Sequence, residues 1–138
     1  MPFKILSFKT FALCGALLVS GLAAQAHAKT SPDPVPVIAT DDKLFNDFGG
    51  HAGLVNLMDD LMVNLLADPR THDFFVAAKQ DHIKAMLVEQ FCHILNGGCD
   101  YTGKDMKSSH KDLGVDQAAM FALVAELQKS MDKTHVPF

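Results

Sequence analysis

The stretch YTGKDMKSSHKDLG, residues 101–114, carries the side chain best suited to chemistry in this chain, His110. On a helix, Met106 lies one turn before that histidine and Leu113 three residues after it, so the three share a face while Lys107 and Lys111 fall on the other. An inward imidazole is either a hydrogen-bonded core residue or a metal ligand, and periodicity alone favours the first. The other reactive pair is Cys92 and Cys99. They either close a small disulfide loop or stay as two half-buried thiols whose geometry does not allow a bond. There is no C-x-x-C-H for covalent haem attachment, and the two cysteines lack the partners of a zinc site.

A single histidine is enough to hold haem iron from one side. Phe74, Phe75, Met62, Ile83, Met86, Leu87 and Phe91 would suit a flat hydrophobic cofactor, or equally an ordinary core. His82 is a weaker ligand candidate and reads as an exposed helix residue; His51, His72, His93 and His135 read as surface or capping residues.

Helical periodicity supplies the elements that must position these residues. Leu54, Val55, Leu57, Met58, Leu61, Met62, Leu65 and Leu66 follow the i, i+3, i+4, i+7 rule over 54–66, after Gly49-Gly50 and before Pro69, which stops the helix. A short connection with Phe74 and Phe75 follows. A second helix spans 81–95, with Ile83, Met86, Leu87, Phe91, Ile94 and Leu95 on its apolar face; Asn96-Gly97-Gly98 ends it, with glycine free to take the left-handed cap. A short helix over 104–112 carries His110. Asp116 is placed to cap a last helix over 117–133, with Met120, Phe121, Val124, Leu127 and Met131 inward. No strand pattern or repeat interrupts this all-α reading.

The N-terminus has a different character. Lys4 and Lys9 precede an apolar run over 11–24 that closes on Ala26-His27-Ala28, the layout of a secretory signal peptide with cleavage after Ala28. The apolar run is short for a membrane span. Residues 29–42, with three prolines, read as an extended linker outside the fold, and 43–138 as the domain. The full chain has 138 residues and a formal charge of −4; losing Lys4 and Lys9 leaves 10 basic against 16 acidic residues, or −6. Nothing basic remains to attract nucleic acid or an anionic membrane surface. No G-x-S-x-G, phosphate loop or paired metal motif points to a hydrolase or transferase. Export implies a periplasmic or secreted protein, in an oxidising compartment.

From Leu44 to about His135 the chain resembles the truncated haemoglobins, most closely their first group. The resemblance is carried by LFNDFGGHAGL, LLADPRTHDFF, the Gly97-Gly98 pair and YTGKDMKSSHKDLG, with spacing from Phe75 through Ile83 and Tyr101 to His110 that fits without gaps. It implies a short two-over-two helical globin with noncovalent haem b that binds a diatomic gas, oxygen, nitric oxide or carbon monoxide, and is served by an unidentified reductase. It places His110 as the proximal iron ligand and Phe75 as the aromatic on the haem. Ile83 and Leu87 fall on the distal side, and Tyr101, Lys104 and Met106 at the haem edge and proximal side, Lys104 facing a propionate.

Family members often place a tyrosine where Met62 stands and a glutamine where Leu87 stands, donors to the bound gas. Losing one such bond costs about 1–3 kcal/mol, roughly 5- to 150-fold in affinity, so the resemblance implies a weak oxygen binder. At most a nitric oxide dioxygenase-like activity follows. Met86 matches a position where some members carry a second coordinating histidine, which leaves open an alternative: a six-coordinate haem used for electron transfer or redox sensing. A core methionine filling space is the plainer account. Members usually continue past Phe138 into a further amphipathic helix, so surface around Val124 and Leu127 is expected to be exposed and open to self-association. A haem-free interaction module is a third reading, against which His110, Phe75 and YTGKDM stand together.

Overall fold

A computed structural model describes residues 35–136; the expected signal peptide, residues 1–28, lies outside them. The elements run α1 (Lys43–Asp47), α2 (Gly50–Ala67), α3 (His72–Phe75), α4 (Gln80–Ile94), α5 (Met106–His110) and α6 (Gln117–Lys133). The described residues hold no strand and no helix long and apolar enough to cross a membrane.

Helix α2 is the central element, packed against both α4 and α6. Leu54, Leu57 and Leu65 on it are wholly buried, each contributing about 1.5–3 kcal/mol of transfer free energy. Val88, Cys92 and Leu95 of the α4 region, Phe48 before α2 and Val136 after α6 complete the core. The Phe48 and Phe91 rings meet edge to face, 6.4 Å between centroids.

The last helix turns inward only part of the face its large apolar residues suggest: Leu127 and Met131 pack against the core as expected. Met120, Phe121 and Val124, expected inside, are 44%, 63% and 41% exposed, while Ala119, Ala122, Glu126 and Ser130 are buried. The physical reason is close approach to α2. Small residues line the seam, and Asn64 Nδ2 donates to Ser130 Oγ at 2.9 Å across it. Lys133 pairs with Asp60 further along. Glu126 is buried in that seam beside two cations, Lys129 Nζ 2.6 Å away and Arg70 3.7 Å away, the pairing that a buried acidic side chain needs.

The α4 end corrects three further expectations. Asn96, not a glycine, takes the first left-handed position, at φ 58°, followed by Gly98 at 77°. Residues 35–39, read as part of a linker outside the fold, form neither helix nor strand but are bound to it. Ile38 and Ala39 both donate their N–H to the Ile94 carbonyl, at 2.9 and 3.1 Å, satisfying an acceptor the helix end leaves open. His93 is half-buried rather than superficial: Nδ1 lies 3.0 Å from Cys99 O and Nε2 3.1 Å from Val35 O. Both partners are carbonyls, so the two bonds coexist only when both ring nitrogens carry protons.

Candidate functional site

A cavity of about 450 Å³ opens between α3, α4, the loop after α4, α5 and the start of α6. Phe74 and Phe75 come from α3, Ile83, Met86, Leu87, His82 and Gln90 from α4. Tyr101, Thr102, Gly103 and Lys104 come from the loop, Met106, Ser109 and His110 from α5, and Leu113, Ala119, Met120 and Leu123 from the following chain and α6. The size and mostly apolar wall suit a large flat ligand with a few polar anchors. The structure therefore brings together Phe75, Ile83, Leu87, Tyr101, Lys104, Met106, Met86 and His110. Met62 does not join them. It is 4% exposed on the buried face of α2 and absent from the cavity wall, because α3 and α4, rather than α2, supply that side.

His110 is the last residue of α5, and its ring orientation is set by its own helix. Nδ1 lies 2.7 Å from the Met106 carbonyl. A carbonyl only accepts, so Nδ1 carries the proton and donates, which leaves the Nε2 lone pair free for a metal. Helix α5 is short, but its start is capped: Asp105 accepts from Ser108 N at 2.8 Å, and the Ser108 side chain, followed by that N–H, holds the Asp105 carboxyl below its ordinary range. Leu113 lies beyond the helix and is half exposed, so it meets the cavity from the turn rather than from the helix face.

The loop before α5 is shaped around Tyr101. Its hydroxyl donates to the Lys104 carbonyl at 2.7 Å. Burial, then the nearby Glu89 and Asp105 charges, push the phenol above its usual pKa, which keeps it a donor. Gly103 is required beneath it: a Cβ there would sit 2.3 Å from the Tyr101 oxygen. Cys92 and Cys99 are joined in a disulfide, Cα atoms 5.7 Å apart, within the ordinary range for such a bond. Gly97 lies against this bridge, where a Cβ would come within 2.9 Å of Cys92 Sγ and 2.6 Å of the Phe45 ring.

Among the described residues no group of three or more His, Cys, Asp or Glu side chains gathers to hold a bare metal ion. A lone imidazole such as that of His110 can hold a metal when other donors arrive with it, as the ring nitrogens of a porphyrin do. Donor set and apolar cavity both fit haem. Residues 43–137 match the sequence family of bacterial-like globins. The chain belongs to that family. It is a truncated globin, a haem-binding protein that takes a diatomic gas.

This globin is 28% identical over 94 residues to a group 1 truncated haemoglobin of Mycolicibacterium paratuberculosis, covering 68% of this chain and 69% of that protein. It is 33% identical over 89 residues to a group 1 truncated haemoglobin of Chlamydomonas moewusii, covering 62% of this chain but 50% of that protein. The fold is similar to the truncated haemoglobin of Tetrahymena pyriformis in its Fe(III) form, with a TM-score of 0.65 and 22% identity over 68% of this chain and 80% of that one. The two-over-two helical architecture is therefore that of a truncated haemoglobin. These likenesses lend no support to the electron-transfer alternative, and Met86 stands as a half-buried cavity residue. Sequence reasoning had not singled out Glu89, Gln90 and Thr102, which bind α4 to the loop; the one available signal was a helical carboxylate facing a Tyr-Thr-Gly turn.

Proposed function

We propose that this globin holds haem b noncovalently, with His110 Nε2 as the proximal iron ligand, and binds oxygen, nitric oxide or carbon monoxide on the α4 side. The observation that carries the reading is the His110 Nδ1 to Met106 carbonyl bond, which fixes the ligating tautomer on a ring lining an apolar cavity. Haem supplies an open coordination position on its iron for a small gas. Phe74 and Phe75 would pack against the porphyrin, Ile83, Met86 and Leu87 would line the gas pocket, and the Lys104 ammonium would be available to a propionate. Because Ile83, Met86 and Leu87 offer only methyl, methylene and thioether groups, that part of the α4 wall gives a gas little hydrogen bonding, which makes oxygen release fast. The Cys92–Cys99 disulfide supports export to the periplasm or beyond, since such bonds persist in oxidising compartments.

The test is a set of absorption spectra of the 29–138 protein with added haem, ferric, ferrous and after carbon monoxide, beside His110→Ala. A stoichiometric haem spectrum that His110→Ala loses is the expected result. Failure of the wild type to take up haem, or an unchanged spectrum in His110→Ala, overturns the reading.

A further inference from the structure

Helix α4 grips the loop that leads to His110 at four places. Cys92 is bonded to Cys99, and His93 Nδ1 lies 3.0 Å from the Cys99 carbonyl. Gln90 Nε2 donates to Met106 Sδ at 3.2 Å. Glu89 Oε2 accepts from both the backbone N–H of Thr102, at 3.0 Å, and its hydroxyl, at 2.7 Å. The Glu89 contact differs in kind from the others. One carboxylate oxygen takes two charge-assisted bonds from a single residue, which fixes the orientation of that peptide as well as its place.

Every step from Thr102 to His110 is then pinned. Gly103 lies under the Tyr101 ring, and Tyr101 donates to the Lys104 carbonyl. The Ser109 hydroxyl reaches that same carbonyl at 3.4 Å. Asp105 caps α5, and His110 closes on Met106 O. A shift at Thr102 is therefore carried to the imidazole.

We infer that Glu89 is a positioning residue for the proximal ligand: acting through Thr102 and the Tyr-Thr-Gly turn, it sets where α5 holds His110 against the α4 wall of the cavity. The inference rests on the haem reading of His110 and adds a residue outside the haem contacts to it. A carboxylate that only stabilised the fold would lower the melting temperature without changing the bond between His110 and iron.

The experiment uses the haem-reconstituted protein, with Glu89→Ala, Glu89→Gln and Thr102→Val beside the wild type. The readouts are the iron–histidine stretching band of the ferrous form by resonance Raman and the rate of haem transfer to excess apo-globin scavenger. Glu89→Ala is expected to shift the band and speed haem loss about tenfold, the size of a lost charge-assisted pair. Glu89→Gln keeps an oxygen acceptor and should restore most of both, and Thr102→Val, which keeps the N–H, should fall between. If Glu89→Ala does not fold, Thr102→Val alone decides by the same two readouts. An unmoved band with unchanged haem loss in the variants, whatever their melting temperature, overturns the inference. A wild type without a haem band would overturn the haem reading and this inference with it, a result plainly different from a wild-type band that Glu89→Ala leaves unmoved.

Discussion

Replacing Cys92 and Cys99 together by alanine should destabilise this globin substantially, and the structure gives the size. The two cysteines are 7 residues apart, and closing so short a loop lowers the entropy of the unfolded chain by an amount worth about 2.4 kcal/mol at 25 °C. Cys92 is wholly buried in the core, and trading its sulfur for a methyl adds roughly 0.5–1.5 kcal/mol for the void. The sum, about 3–4 kcal/mol, corresponds to a fall in Tm of roughly 12–30 °C for a domain of this length. Thermal melts of the apo-protein followed by circular dichroism measure it, with a third sample of wild type in excess dithiol reductant. Reduction keeps the sulfur and so isolates the loop-closure part, and its melt should lie between the other two. Coincident melts of oxidised and reduced wild type would refute the reasoning, since the bridge would then carry none of the stability assigned to it.

Leu87→Gln places a donor on the α4 wall, and oxygen dissociation followed by stopped flow should slow by roughly 5- to 150-fold; an unchanged rate would mean that the pocket's apolar wall does not govern release. Gly103→Ala forces a methyl onto the Tyr101 hydroxyl and should cost about 1–3 kcal/mol together with faster haem loss, read by melting and by transfer to a scavenger. Acid should loosen the seam between α2 and α6. The hydrogen bond from Lys133 holds the Asp60 carboxyl below its ordinary 3.8, and hydrogen bonds from Arg70 hold Asp68 lower still. Folded values below the unfolded ones mean that both contributions are complete above that pH and are lost as pH falls beneath it. A pH series of denaturant melts should therefore drop steeply below about pH 4, and Asp60→Asn should flatten that drop; an equal slope in the variant would count against the Lys133 pair.

The three long helices were legible because each repeats its apolar residues at the helical period over several turns. The five- and four-residue α1 and α3 were not, being too short to show any period, and α3 carries the two phenylalanines of the cavity. Asp116 was readable as a cap, and it does accept from Ala119 N at 2.8 Å. The phase of α6 was readable only in part, Leu127 and Met131 packing inward while Met120, Phe121 and Val124 do not. The bond from Asn64 to Ser130 holds α6 to α2 with Ala122, Glu126 and Ser130 buried, which leaves Phe121 on the exposed side. That Glu126 could be buried depends on Arg70 arriving from the loop after α2, beside Lys129 one turn along α6 itself. At the site, spacing put His110 with Met106, but only the observed ring reveals which nitrogen is free. Met62 shares its helix face with Leu61 and Leu65, and which wall of that helix meets the cavity is a tertiary matter. Three prolines foretold a segment without helix or strand before α1 without foretelling the Ile94 carbonyl it binds.

The ties between α4 and the loop to His110 have a consequence for the order of folding. They join residues 7, 13 and 16 apart in sequence, whereas the bonds between α2 and α6 join residues 66 and 73 apart. Loop closure costs more entropy as the chain between partners lengthens, and nearby contacts form sooner. The expected sequence of events is that the His110 loop settles on α4 early and α6 docks last. A chain halted before that last step would already present its imidazole on a formed loop, with one wall of the cavity still to arrive. Native-state hydrogen exchange should then show α6 amides opening at lower free energy than those of α4.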